Sequence, residues 1–220
     1  MAKTLFEQIV DRSATVLTEK DLNGITKITE YAMAYLNLDV LEIPKNINEI
    51  DGYAFAYSTL PNNMEIPKNI STIGEGLFYY SKVTKIIDTW GIDYIGELMY
   101  SNCTSLTDIT IPEYIKVIKN NAFGNCTNLK KVTITKNVNE IGVQVWSNTL
   151  GAMAITDAYF QQPSGMTVTL PAAGSSTGMF YVKTARSMNV YTDNETIKNY
   201  AWSSDNITPT FYHLDGTAWA

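Results

Sequence analysis

Isoleucines at positions 50, 73, 95, 118 and 141 fall 23, 22, 23 and 23 residues apart, and each closes a similar phrase. The phrases run Ile43-Pro44-Lys45-Asn46-Ile47-Asn48-Glu49-Ile50, then Ile66-Pro67-Lys68-Asn69-Ile70-Ser71-Thr72-Ile73, and onward through Ile111-Pro112 to Ile118 and Ile134-Thr135 to Ile141. An earlier copy, Ile25-Thr26-Lys27-Ile28, stands 22 residues before Ile50. Five places after the closing isoleucine comes a bulky group: Met33, Phe55, Phe78, Tyr100, Phe123 and Trp146. Leu38, Leu60, Val83, Leu106 and Leu129 keep another column, followed by Leu41, a one-place-shifted Met64, Ile86, Ile109 and Val132. A unit this short cannot bury its own apolar face, so such units stack on one another.

The triplets Leu41-Glu42-Ile43, Ile109-Thr110-Ile111 and Val132-Thr133-Ile134 alternate apolar and polar residues, the pattern of short strands with one face inward. Stacking sets each side chain on its copy ~4.8 Å along the axis, as a parallel ladder. Pro44, Pro67 and Pro112 end the strands, because proline donates nothing to a ladder. A chain of amphipathic helices is excluded: the recurring Pro and Gly leave no window of helical length.

Residues 25–150 resemble the BspA-type leucine-rich repeats, whose pattern runs roughly L-x-x-I-x-I-P-x-x-V-x-x-I-G-x-x-A-F-x-x-C. The best copy runs from Leu106 through Ile111-Pro112 to Ala122-Phe123-Gly124-Asn125-Cys126. The coil at 86–103 departs from the pattern, with Thr89 in the proline place and Trp90-Gly91 after it, and is expected to be irregular. The resemblance implies a β-rich solenoid, low in helix: a right-handed coil of about six 22–23-residue repeats with a short N-terminal helical cap and a mixed C-terminal cap. It also implies adhesion or protein binding, and brings neither catalytic residues nor a cofactor. The expected division is an N-terminal cap at 1–24, the solenoid at 25–150, and a divergent last coil with a C-terminal cap at 151–220.

For the N-terminal end, Thr4-Leu5-Phe6-Glu7 is a capping-box pattern, predicting a helix over 4–11. Thr15-Val16-Leu17 reads as a degenerate first strand. Beyond Trp146 the register dissolves. Met166 to Pro171 has the strand-then-proline form, Met179-Phe180-Tyr181-Val182 reads as a strand, Thr192-Asp193-Asn194-Glu195 as a capping box opening a helix through Tyr200, and Thr210-Phe211-Tyr212 as a last strand.

Composition narrows the function. Sixteen Lys+Arg against 22 Asp+Glu leave a net charge of −6 with no basic stripe, which disfavours nucleic acid. One histidine and two cysteines exclude most metal sites and any disulfide framework. Glu7, Asp11 and Arg12 interrupt residues 1–12 where a signal peptide needs an apolar run, and no stretch is apolar for long enough to insert into a membrane. The chain is therefore expected to stay in the cytoplasm, to leave by a signal-independent route, or to leave inside an assembled particle, with an extracellular or virion location favoured.

Gly174-Ser175-Ser176-Thr177-Gly178 matches the nucleophile-elbow motif G-x-S-x-G, with His213 the one available base. Pro171 before it and an apparent strand after it contradict the strand–turn–helix context the motif needs, so a flexible loop is favoured over a hydrolase using Ser176. Cys103 and Cys126 occupy equivalent places and read as buried free thiols, since stacked side chains point in parallel and fit disulfide geometry poorly.

Two places beyond the bulky column lie Tyr35, Tyr57 and Tyr80, then Asn102, Asn125 and Asn148. Tyr31, Tyr53 and Tyr79 lie near the row, and Trp90 and Tyr94 in the irregular coil add further aromatics. Tyrosine supplies rigid amphipathic area at low entropic cost, so Tyr35, Tyr57, Tyr80, Trp90 and Tyr94 are the candidate binding residues for a protein or surface glycan. The alternative is that the rings shield the coil edges by packing on each other. The expected function is a non-enzymatic binding or structural protein. The segment Leu5 to Ser13, with Leu22-Asn23-Gly24-Ile25, is similar to short signal-less repeat proteins of gut-bacterial phages and prophages. That likeness implies an exposed particle component, such as a decoration protein or tail-associated adhesin, with other particle subunits as partners and an oligomer as the assembled form. A secreted or surface-attached bacterial adhesin is the alternative setting.

Overall fold

The computed structural model describes residues 13–88, 91–149, 154–172, 178–180 and 186–219. They form a parallel β-solenoid of about eight turns with almost no helix. Two ladders run along it. The first holds β1 (Val16–Leu17), β3 (Val40–Leu41), β7 (Asp108–Thr110), β9 (Lys131–Ile134), β11 (Asp157–Phe160), β12 (Arg186–Thr192) and β13 (Ile207–Tyr212). The second holds β2 (Lys27–Ile28), β4 (Glu49–Ile50), β5 (Thr72–Ile73), β6 (Tyr94–Ile95), β8 (Val117–Ile118) and β10 (Glu140–Ile141). The triplets read from the sequence fall on the first ladder. The second ladder consists of two-residue strands, too short to show an alternation.

The isoleucine file is interior. Ile28 pairs with Ile50 and Ile50 with Ile73; Ile95 pairs with Ile118 and Ile118 with Ile141, and all six are buried. Beside it runs an aromatic stack. Ring centroids lie 5.7 Å apart for Phe55–Phe78, 5.2 Å for Phe78–Tyr100, 5.4 Å for Tyr100–Phe123, 6.2 Å for Phe123–Trp146 and 4.9 Å for Trp146–Phe180. A third column bonds coil to coil through hydroxyls and thiols: Ser58 Oγ donates to the Met33 carbonyl (2.7 Å), Cys103 Sγ to Phe78 (3.0 Å) and Cys126 Sγ to Tyr100 (3.1 Å). Both cysteines are free, and burial raises the Cys103 thiol to about 12 and lifts the Cys126 thiol well above its ordinary value. A thiol serves here as a serine does elsewhere in the column.

Irregularity appears where the sequence departs. The second ladder breaks between β5 and β6, and among the described residues the first has no strand between β3 and β7. One extra residue between Leu60 and Met64 forces a choice: Met64 keeps its place in the core, and the backbone gives up its register with Leu41. In the next coil the buried Tyr100 hydroxyl takes over the missing ladder bonds, accepting from Ile87 N–H (3.0 Å) and donating to the Ile87 carbonyl (3.3 Å). Burial holds its phenol far above its usual range. Tyr100→Phe should orphan those groups and lower stability by about 1–3 kcal/mol in urea unfolding; an unchanged midpoint would contradict this role.

At the amino end, β1 pairs with β3 as the first strand anticipated at Thr15–Leu17. The helix expected over 4–11 lies outside the described residues. The C-terminal readings need correction in three places. Met166–Pro171 does not lie in the first ladder: Thr169 N–H donates to Asn139 and its carbonyl accepts from Ile141, extending β10 instead. The first-ladder strand of that coil is β11, hidden in the sequence because it arrives out of period. Of the strand expected over Met179–Val182, Met179 and Phe180 form a turn, with Trp146 N–H donating to Met179 and Phe180 continuing the aromatic stack, while Tyr181 and Val182 lie outside the described residues. The helix α1 (Glu195–Lys198) is shorter than expected, and its cap is Asn194, whose Oδ1 accepts from Thr196 and Ile197 N–H. The expected last strand is present as the end of β13.

Candidate binding surface

The tyrosine row sits on the turn that carries the aromatic stack. Flanking each bulky core residue from Met33 to Phe123, two positions adopt left-handed backbone, and at Trp146 only the first does. The first is occupied by Tyr31, Tyr53, Gly76, Leu98, Asn121 and Gln144, with φ from 53° to 60°. The second is occupied by Tyr35, Tyr57, Tyr80, Asn102 and Asn125, with φ from 56° to 62°. This geometry aims alternate N–H groups along the axis: Tyr53, Phe55 and Tyr57 donate to Glu75, Leu77 and Tyr79 of the next coil at 2.8–3.0 Å. Asparagine visits this region readily, whereas a tyrosine there strains its backbone by roughly 1–2 kcal/mol. At the second position the later coils carry the inexpensive residue, Asn102 and Asn125, and the early coils carry tyrosine.

Six tyrosines form one patch. Tyr35 and Tyr57 stack at 4.7 Å with planes 2° apart, Tyr57 and Tyr80 at 5.1 Å and 14°, and Tyr31 and Tyr53 at 5.3 Å and 14°. Tyr79 meets Tyr53, Tyr57 and Tyr80 edge-on at 5.6, 5.9 and 4.7 Å, joining the two rows. Gly76 makes room, since a Cβ there would lie 2.3 Å from the Tyr53 ring. Tyr35, at the end of its row, is 67% exposed, against 40% for Tyr57 and 41% for Tyr80. Tyr53 donates to Glu75 Oε1 at 3.2 Å; burial first, then the Glu75 charge, pushes its phenol up to about 12. Burial against neighbouring rings raises Tyr57 and Tyr79 as well.

The structure thus brings Tyr35, Tyr57 and Tyr80 together and adds Tyr31, Tyr53 and Tyr79. It separates Tyr94, which lies on β6 of the second ladder with Lys119 Nζ 4.2 Å from its ring centroid. Trp90 and Ser176 lie outside the described residues. His213 is engaged elsewhere, with Nδ1 2.7 Å from Asp193 Oδ1 and its ring stacked on Trp219 at 4.2 Å. Sequence reading missed a second row, Tyr159–Tyr191–Tyr212, stacked at 4.1 and 5.1 Å across β11, β12 and β13. Only the strand register reveals it, because its members are 32 and 21 residues apart. Among the described residues no group of three or more His, Cys, Asp or Glu could hold a metal ion, and no helix is long and apolar enough to cross a membrane.

A family model described as the BspA type leucine rich repeat region matches six copies over residues 26–152. The chain belongs to this family. Three solved structures are similar to the BspA-type chain. A leucine-rich cell surface protein from Faecalibacterium prausnitzii shares 22% identity at a TM-score of 0.38, over 67% of this chain and 32% of that one. A leucine-rich repeat protein from Bacteroides ovatus shares 16% at 0.48, over 93% of this chain and 62% of that one. The pneumococcal vaccine antigen PcpA shares 14% at 0.37, over 93% and 67%. The BspA-type chain therefore spans about a third of the first structure and less than two thirds of the second. No curated protein matches the sequence. Repeats of this family are typical of binding or structural proteins.

Proposed function

We propose that this is a non-enzymatic binding protein whose patch of Tyr31, Tyr35, Tyr53, Tyr57, Tyr79 and Tyr80 grips a partner protein. One observation carries the reading: Tyr35, Tyr57 and Tyr80 occupy left-handed turn positions that the later coils fill with Asn102 and Asn125. Stacking between exposed rings returns only about 0.5–1.5 kcal/mol per pair, comparable with the strain, so self-packing alone gives no reason for the choice. A partner protein is favoured over a glycan by ring orientation. A sugar stacks on an open ring face, and face-to-face packing leaves edges and hydroxyls outward, with the Tyr35 face the freest. A place on a phage particle rests on Leu5 to Ser13 and Leu22–Ile25 alone; neither the fold nor the relatives add to it.

The test is a random peptide library panned on the immobilised protein. The dominant binders should lose about tenfold or more in affinity, ~1.4 kcal/mol, for the variant carrying Tyr35→Asn, Tyr57→Asn and Tyr80→Asn. Equal binding to the variant would overturn the reading.

A further inference from the structure

The lapse of the first ladder after β3 leaves hydrogen-bonding groups facing a cleft. On its inner side β3 is satisfied, with Val40 and Glu42 N–H donating to Thr15 and Leu17 at 3.2 and 2.9 Å. In a regular pair of coils Ile111 N–H donates to the Thr133 carbonyl at 2.9 Å. The equivalent groups three coils earlier in the solenoid are the Ile43 N–H and the Glu65 carbonyl, and neither has a hydrogen-bond partner among the described residues. Between them opens a cleft of about 600 Å³, walled by Leu41 and Ile43 on one coil and Ile66 on the next. A row of carboxylates borders it: Glu19, Glu42 and Glu65, spaced 23 residues apart, all exposed. None of the three forms a salt bridge among the described residues. Lys45 and Lys68 also line the cleft, so its charged lining is three carboxylates to two ammonium groups.

We propose that this cleft takes an extended polypeptide segment carrying basic side chains, which pairs its backbone with Ile43 and Glu65 and sets its cations against the Glu19–Glu42–Glu65 row. Two features select that occupant. An unpaired strand edge offers main-chain donors and acceptors that only another backbone matches along its length. The carboxylate row is complementary to lysine and arginine and supplies the selectivity that main-chain bonds lack. The site is distinct from the tyrosine patch, which lies on the turns.

The probe is a short dye-labelled peptide of alternating Lys and Thr, compared by anisotropy with its Glu-Thr counterpart and with a Lys-Thr version N-methylated at alternate amides. At physiological salt the basic peptide should bind, and both comparison peptides should bind about tenfold or more weakly. Amide shifts in the ¹⁵N-labelled protein should concentrate at 40–45 and 63–69. Paired Glu42→Lys and Glu65→Lys changes, both on the surface, should remove binding, whereas Tyr35→Asn, Tyr57→Asn and Tyr80→Asn should leave it intact. Absent binding, equal affinity for the N-methylated peptide, unaltered affinity in the charge-reversed variant, or shifts confined elsewhere would each overturn the proposal. The N-methylated comparison uses the unaltered protein, so it decides even if the charge reversal disturbs folding.

Discussion

Phe78→Ala should lower the stability of this protein by about 3–5 kcal/mol, read as a fall of roughly 6–20 °C in the thermal midpoint. Phe78 is fully buried and sits in the middle of the aromatic stack, between Phe55 at 5.7 Å and Tyr100 at 5.2 Å. Removing the ring deletes two ring contacts and opens a void that neither neighbour can fill, because each is held by its own coil. In a solenoid every coil depends only on the two beside it, so the damage is concentrated at one joint. Urea unfolding of Phe78→Ala should therefore separate into two transitions, or show a reduced m-value, where Phe78→Leu shows one. A loss below about 1 kcal/mol would mean that the stack is not a principal source of cohesion.

Gly74→Ala should be nearly as harmful, through a different cause. A Cβ at Gly74 would lie 2.1 Å from the Gly52 nitrogen and 2.5 Å from its Cα. Both are backbone atoms, so no side-chain rotation relieves the clash, and the two coils must move apart. The Gly74 N–H to Ile50 carbonyl bond (2.9 Å) and the Tyr53 N–H to Glu75 carbonyl bond (2.9 Å) lie beside the contact and would be stretched. Overpacking of this kind costs about 1–3 kcal/mol and more where the backbone must shift. The same displacement should loosen the Tyr57–Tyr80 stack, which spans the same two coils, and weaken partner binding in step with stability. Gly165→Ala is the control: nothing lies within 4 Å of a Cβ there, and its effect should stay within about 0.5 kcal/mol.

The repeat was legible because it is written in spacing. Ile50, Ile73, Ile95, Ile118 and Ile141 keep one period, and periodicity survives without any knowledge of neighbours. The carboxyl-terminal strands were not legible in the same way. β11 and β12 enter the sheet at intervals of 26 and 32 residues, and pairing such as Val132 with Ala158 and Ala158 with Val190 is fixed in space rather than in sequence. The Met166–Pro171 segment misled for a related reason, since two-residue pairings on the second ladder leave too little pattern to separate them from the first. The tyrosine row at 35, 57 and 80 was visible as a column, yet its backbone state was not: φ depends on how the turn directs its N–H groups to the next coil. The cleft beside β3 had a trace in the one-place shift of Met64, but unpaired donors become apparent only once both coils are in place.

The proposal that these tyrosines face outward for contact, at a cost to folding, is tested most directly by one thermal midpoint. In the variant with Tyr35→Asn, Tyr57→Asn and Tyr80→Asn, released backbone strain should offset lost ring stacking. The midpoint should then stay within the roughly 2–4 °C that 1 kcal/mol represents in a chain of this size, or rise. A fall several times larger would show the rings to be structural cladding and contradict the assignment of this surface to a partner.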